Sequence, residues 1–463
     1  MNNDRRRFLK LFGLSASGIV TSGLADSNAL AAMTTNNPRF NMACYAARKL
    51  QTVRIGYIGL GDRGSEAVER IVHFAGIDIK AICDIRISQI DLALRHLKGT
   101  TFHPKTYHGD DEIWKKLCER DDIDLIYICT PWALHTPMAC YAMNHGKHVA
   151  VEVPAAQTLE ECWQLVDTSE KTKRHCVMME NECFDFFEML TLNMARQGFL
   201  GEIIHTEGAY IHDISRSLFD RIRRPGLWRL NENCHRNGNL YPTHGLGPAC
   251  QIMDINRGDK LTTVISMSTA DFTLNDIAKE ISSKDPSFSQ YVDKPFRGNM
   301  NTSIIRTQKG KTIMLQHDIS STRPKSSRYL VSGTKAFAQM DAEAPKISTT
   351  HGKWLSAKEF KQLEEQFTFP FIRQVGTAAR KIGGHGGMDV LMDWRMIDCL
   401  RHGLPLDYNV YDAAAWSALV PLSEWSVAHG SAPVEVPDFT RGSWANNKPI
   451  DMSIAHGTLT AIK

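Results

Sequence analysis

The chain has 463 residues, 43% hydrophobic and 23% charged, an ordinary globular composition with length enough for two domains. The net charge of +3 falls partly on the first few residues and no basic run recurs, so nucleic acid is not an expected partner. The 11 cysteines include no CxxC pair with a histidine partner, so no metal is expected.

The amino terminus reads as a twin-arginine export signal over residues 1–31. Arg5-Arg6-Arg7-Phe8-Leu9-Lys10 is followed by an apolar stretch over 11–24 and by small-residue cleavage options at Gly23-Leu24-Ala25 or Ala29-Leu30-Ala31. The stretch is too short and too rich in Gly and Ser to cross a membrane, and no later segment approaches the roughly 20 apolar residues a span needs. The mature chain is therefore expected without a membrane span, exported and, in a Gram-negative cell, periplasmic. Cargo of this route folds in the reducing cytoplasm, so a disulfide framework is not expected; Cys83 and Cys129, in apolar strand-like runs, read as buried thiols. Residues 32–51 are polar and irregular and read as a linker.

Over residues 52–178 short apolar strands (53–58, 77–84, 124–130, 148–152) alternate with helical patterns (65–74, 87–97, 111–120, 136–144, 159–172). This alternation predicts an α/β, doubly wound parallel Rossmann sheet. From 179 to 463 the strands become longer and alternating (203–212, 262–269, 302–306, 312–319) and the helices fewer. That texture predicts an α+β domain with a large, mostly antiparallel sheet, serving substrate binding and oligomerisation. Its open face is expected to pair copies of the chain into a homo-oligomer.

The first strand runs into Gly59-Leu60-Gly61-Asp62-Arg63-Gly64, a GxGxxG turn that opens a helix. Gly59 allows the tight turn, Gly61 lets the backbone approach a pyrophosphate, and Gly64 allows close helix–strand packing. With Asp62 and Arg63 these residues would hold phosphates at the helix N-terminus. Asp84, ending the second strand, can accept from both ribose hydroxyls and would repel a 2′-phosphate, so the expected cofactor is NAD. Thr130, Trp132 and His135 follow the next strand at the carboxyl edge of the sheet, where ligands bind. Glu152 and Val153 end the strand after it, and Asn181 follows another; all are expected cofactor contacts.

The run from Asp124 to Thr130, with Pro131, His135 and Gly146-Lys147-His148-Val149-Ala150-Val151-Glu152-Val153-Pro154, resembles the glucose–fructose oxidoreductase and inositol dehydrogenase superfamily. Most of that group carry Glu-Lys-Pro where this chain has Glu152-Val153-Pro154, so the lysine that assists hydride transfer there is absent. Three further motifs are more specific: Tyr241-Pro242-Thr243-His244-Gly245-Leu246-Gly247-Pro248, Gly383-Gly384-His385-Gly386-Gly387-Met388-Asp389, and Val410-Tyr411-Asp412-Ala413-Ala414-Ala415-Trp416-Ser417. With the export signal, they resemble glycoside hydrolase family 109, the NAD-dependent α-N-acetylgalactosaminidases. Two departures from that family fall where substrate handling is expected. Phe184 stands in place of a tyrosine, and Lys325 follows Arg323-Pro324 in place of another.

The resemblance implies a glycosidase acting on a small-molecule or glycan substrate without net redox change. The sugar is oxidised at C3 by NAD, C2 is deprotonated, the C1 group is eliminated, water adds and the hydride returns. Such closure suits an exported enzyme with no nicotinamide pool to draw on. His244 is the expected base or orienter for the C3 hydroxyl, because imidazole titrates near neutral pH. Tyr241, three residues earlier, is expected at the same pocket and beside the cofactor. By resemblance Tyr210 and Arg229 contact the sugar; His385 and Asp389, at i, i+4 spacing after a double glycine, are expected to join them. His205 and His212 read as structural. Two other readings fit: an exported sugar oxidoreductase of the glucose–fructose type, or a non-catalytic sugar-binding protein that retains NAD.

Overall fold

In the computed structural model, which describes residues 40–452 and 460–463, six short strands make a parallel sheet. They are β1 (Val53–Ile58), β2 (Ile77–Cys83), β3 (Lys105–Tyr107), β4 (Leu125–Ile128), β5 (His148–Val151) and β6 (Cys176–Met178), in the order β3-β2-β1-β4-β5-β6. The export signal read at 1–31 lies outside the described residues, as do residues 32–39 of the linker. Every residue of β4 and β5 is buried, because helices cover both faces of a doubly wound sheet. The strand order reverses between β1 and β4, which opens a crevice at the carboxyl ends of these strands.

The helices of this half are Asp62–Ile71, Ile87–His96, Trp114–Cys118, His135–Asn144 and Leu159–Thr172. The last is bounded by a capping box between Thr158 and Glu161, so its start is legible residue by residue. The helix expected over 111–120 shrinks to Trp114–Cys118. Asp110 draws the preceding residues into a turn, its carboxylate accepting from Glu112 N at 2.8 Å and its carbonyl from Ile113 N at 3.2 Å.

The second sheet has eight strands: β7 (Ile203–Ile211), β8 (Leu261–Ser268), β9 (Met300–Thr307), β10 (Thr312–Asp318), β11 (Tyr329–Gly333), β12 (Phe337–Met340), β13 (Lys346–Ser348) and β14 (Val434–Glu435). The order is β13-β12-β11-β7-β10-β9-β8-β14; β7 and β10 run parallel and all other neighbours antiparallel. One face packs on helices. The other presents Ile265, Ile304 and Met314 in register across β8, β9 and β10, with Met267 and Ile204 also exposed.

The expectation of fewer helices after residue 178 is wrong. Nine helices of eight or more residues follow it among the described residues. Several lack an amphipathic stripe because they are buried on all sides: 13 of the 15 residues of Met388–His402 are buried, and all 8 of Val410–Ser417. Met388–His402 returns to pack on helix Asp62–Ile71 and on β1, so the carboxyl-terminal half supplies a layer of the nucleotide-binding half. All 11 cysteines are free and eight are buried. No described helix is long and apolar enough to cross a membrane.

Candidate functional site

The glycine turn has the geometry of a phosphate cradle. Gly59 has φ +86°, and a Cβ there would lie 2.7 Å from the Cys129 backbone; one on Gly64 would lie 1.9 Å from the Gly59 carbonyl oxygen. Neither position admits a side chain. A Cβ on Gly61, by contrast, would meet nothing within 4 Å, so the backbone faces open space at the start of helix Asp62–Ile71. Asp84 is locked beside this turn, accepting from Leu60 N at 2.8 Å and from Arg86 N at 2.9 Å. Open backbone at a helix N-terminus, with a carboxylate at the end of the adjacent strand, fits a dinucleotide without a 2′-phosphate.

A cleft runs from this turn to the end of β7. Arg63, Glu152, Asn181, Glu182, Tyr210, His212, Arg229, Tyr241, His244, Lys325 and His385 line it. A glycine pair brings its two halves together. Helix Thr243–Ile252 crosses β7 where Gly245 meets Gly208; a Cβ on Gly208 would lie 2.5 Å from Gly245 Cα, and one on Gly245 2.7 Å from Gly208 C. That approach sets the Tyr241 and His244 rings 4.7 and 5.5 Å from the Tyr210 ring, with Tyr241 and His244 edge-on at 4.9 Å. Burial pushes the ionisation of the Tyr241 hydroxyl well up, so it stays a donor.

His244 Nδ1 lies 2.6 Å from Glu180 Oε1. Glu180 is 0% exposed and its Oε2 has no partner among the described residues. Burial disfavours the imidazolium, yet the adjacent Glu180 carboxylate outweighs it and the His244 pKa is raised. With Nδ1–H donating to Glu180, Nε2 keeps a lone pair. Glu182 is two residues on, in the 3-10 turn Asn181–Phe184. Burial, reinforced by Asp185 and Glu180 and opposed by His244 and Lys325, pushes its carboxyl up to about 7. The sequence pattern does not single out Glu180, Glu182 or His212. Their signal is position alone: the two glutamates follow β6 at the carboxyl edge of the sheet. His212, read as structural, lines the cleft, its Nδ1 3.3 Å from the Tyr210 hydroxyl.

Behind the cleft wall lies an ionic network. Arg63 bridges Glu152 at 3.0 Å and Asp389 at 2.9 Å; Arg70 reaches Asp393 at 2.9 Å and Asp389 at 3.5 Å. Asp389 also accepts from Asn181 Nδ2 at 2.7 Å and pairs with His385 Nδ1 at 2.9 Å. Burial opposes its charge, but Arg63, His385 and Arg70 hold its pKa well below the carboxylate range. A buried carboxylate stripped of its partner costs about 3–5 kcal/mol, hence two arginines and two polar side chains around this one.

Several expected contacts need correction. Asp389 is 0% exposed and positions Arg63, Asn181 and His385 rather than meeting substrate. His135 is buried with both ring nitrogens taken, by the Pro154 carbonyl at 2.8 Å and the Thr130 carbonyl at 2.7 Å, so it ties two loops and has none left for a cofactor. The Val153 side chain packs in the core. Trp132 is buried against Trp228, Tyr241 and the Arg229 guanidinium, and forms the floor under the cleft. Asp62 is at the rim, paired with Arg223 at 2.7 Å. Phe184 is 3% exposed beside Tyr408, outside the cleft, so its departure from the family pattern does not touch substrate. Lys325 does line the cleft. No group of three or more His, Cys, Asp or Glu side chains is placed to hold a metal among the described residues.

Family models match both halves: an NAD-binding Rossmann fold of the oxidoreductase family over residues 53–180, and the C-terminal domain of glycosyl hydrolase 109 over 185–446. The chain is 47% identical over 401 residues to an alpha-N-acetylgalactosaminidase of Bacteroides fragilis, covering 85% of this chain and 93% of that one. It is 42% identical over 456 residues to an alpha-N-acetylgalactosaminidase of Shewanella oneidensis, covering 97% and 98%. Among solved structures, levoglucosan dehydrogenase in complex with NADH superposes with TM-score 0.61 at 17% identity, covering 84% of this chain and 100% of that one. An aldose-aldose oxidoreductase of Caulobacter crescentus gives TM-score 0.58 at 17% identity, covering 83% and 99%. These two likenesses establish the fold.

Proposed function

From the premise that this chain belongs to glycosyl hydrolase family 109 and is an NAD-dependent glycosidase, we propose that it cleaves an N-acetylgalactosaminide by transient oxidation at C3. The observation that carries this reading is His244, which lines one cleft with Glu182 and with Arg63 of the glycine turn and is bonded to the buried Glu180. NAD held by the Gly59–Gly64 turn and Asp84 would supply a reversible hydride acceptor for C3. His244 Nε2 takes the proton of the C3 hydroxyl while Glu180 stabilises the imidazolium that forms. The Tyr241 hydroxyl donates to the C3 oxygen, and Tyr210 and Arg229 hold the ring. Once C3 is a ketone the C2 proton is acidic, and the Glu182 carboxylate removes it. The C1 oxygen leaves with its electron pair, water adds its hydroxyl at C1 and its proton goes to the expelled oxygen, Glu182 returns its proton to C2, and His244 returns its proton to the C3 oxygen as the ketone is reduced.

The chain thereby ends each turnover with its cofactor unchanged, in keeping with the twin-arginine segment and our reading that the protein is exported with NAD bound. The sugar oxidoreductase reading is disfavoured by Val153, an apolar core side chain where such enzymes carry lysine. We further propose that the exposed apolar face of β8–β10 pairs two copies of the chain. Light scattering should give a dimer mass, and Met267→Asp should shift it to the monomer; a monomeric wild type would refute the pairing.

The deciding experiment uses purified protein with no added nucleotide, incubated with p-nitrophenyl α-N-acetylgalactosaminide in D2O. Nitrophenol release with deuterium at C2 of the product is expected. Release without exchange would overturn the oxidation route and leave a glycosidase of different chemistry.

A further inference from the structure

Beyond Arg229, which holds the sugar ring, the cleft carries positive charge that the oxidation chemistry does not use. Six cationic side chains line it. Three are committed to carboxylates: Arg63 to Glu152 and Asp389, Arg216 to Glu280 at 2.7 Å, and Arg223 to Asp62 at 2.7 Å. Arg224, Arg229 and Lys325 make no ion pair among the described residues. Arg229 is only 8% exposed and its Nε is buried without an acceptor; the Arg224 Nε is likewise buried and unpartnered. Arg229 is held over the Trp132 and Tyr241 rings at 5.3 and 5.0 Å, which fixes its place but satisfies none of its donors.

The three cations act on shared neighbours. Burial, then Arg229 and Arg223, lower the Arg224 guanidinium to about 10. Burial, then Lys325 and Arg229, lower His212. Of the acids on the same wall, Asp213 is engaged with the backbone and hydroxyl of Ser215, and Glu152 with Arg63. Glu182 shares the cleft with Lys325 but is not within ion-pair distance of it. Desolvated guanidinium donors without acceptors are costly unless a ligand supplies the acceptors.

We propose that Arg224 and Lys325, backed by Arg229, form a subsite for an anionic group carried by the glycan, a sulfate ester or a sugar carboxylate. This rests on the glycosidase reading and narrows its substrate class to acidic glycans. Oxygens in a plane suit the guanidinium fork, and the ammonium adds a point charge that does not depend on geometry.

The test is calorimetric titration of the NAD-loaded protein with N-acetylgalactosamine, N-acetylgalactosamine 6-sulfate and galacturonic acid. Hydrolysis of the neutral nitrophenyl glycoside is measured in parallel. At least one anionic sugar is expected to bind ten times more tightly than the neutral one, with the ratio shrinking as salt is raised. Which of the two does so tells sulfate from carboxylate. Arg224→Gln and Lys325→Tyr, each checked for retained NAD and circular dichroism, should each lower the ratio severalfold. Equal binding of neutral and acidic sugars, with the neutral glycoside hydrolysed, overturns the subsite and leaves the glycosidase reading standing. An anionic preference that survives both substitutions overturns the assignment to these residues. No binding and no hydrolysis overturn both.

Discussion

His244→Gln should lower turnover of the nitrophenyl glycoside by about 10²–10⁴-fold, the range associated with loss of one positioned acid–base group. The substitution is chosen for what it keeps. A glutamine amide N–H can still donate to Glu180, which has 0% exposure and one oxygen already without a partner. Alanine would leave that buried carboxylate with only the Glu182 N–H at 3.1 Å, at a cost of about 1–3 kcal/mol, and confuse loss of fold with loss of chemistry. Glutamine has no lone pair of comparable basicity to Nε2, so the C3 hydroxyl would keep its proton. The reduced-nicotinamide absorbance that follows mixing wild type with substrate should then be missing, while NAD content stays at the wild-type level. A variant that still reduces its cofactor at the wild-type rate would remove His244 from the first step and assign that proton elsewhere.

Glu182→Gln should stop the cycle one step later. This variant is expected to oxidise C3 and reduce its cofactor, yet to exchange deuterium into C2 at least 10²-fold more slowly than wild type. The sign of the pH effect follows from the carboxyl. Burial first, then Asp185 and Glu180, push it up to about 7 against the pull of His244 and Lys325. Below that pH it is protonated and cannot accept the C2 proton; above it the base is available. The wild-type exchange rate should climb as pH rises through about 7 and then level, and the glutamine variant should lack this limb. Normal C2 exchange in Glu182→Gln would refute the assignment. Because the first prediction is read at cofactor reduction and the second at C2 exchange, the two residues are separable even though they share a wall.

Much of this was legible in the sequence where the chemistry is local. The glycine turn and the capping box of Leu159–Thr172 involve residues within about one turn of each other, and Asp84 ends the strand that pairs with the one feeding the turn, so residue types and strand ends carry the geometry. Tyr241 and His244 could be paired from spacing. The failures are long-range. Asp389 reads as a ligand contact until Arg63, 326 positions earlier, is seen to hold it. His135 looks like a cofactor contact until the Pro154 carbonyl takes its Nδ1. Phe184 raises doubt about activity only while it is assumed to face substrate; the turn Asn181–Phe184 sends it to the core and leaves Glu182 at the cleft. Helices such as Met388–His402 and Val410–Ser417 escaped notice because burial on all sides erases the apolar stripe that marks a surface helix.

By itself, the sequence determined a parallel nucleotide-binding sheet, a larger and mostly antiparallel second sheet, NAD as cofactor and, by resemblance, membership of a glycosidase family. The sheets follow from strand and helix periodicity, and the cofactor from a motif whose function is set by adjacent backbone. Only the tertiary structure decided which side chains share the cleft. The contact of Gly208 with Gly245 lets helix and strand approach closely enough to bring the Tyr210, Tyr241 and His244 rings into contact. The Glu180–His244 bond then depends on that approach, because a hydrogen bond of 2.6 Å between residues 64 positions apart exists only once the backbones carrying them are packed.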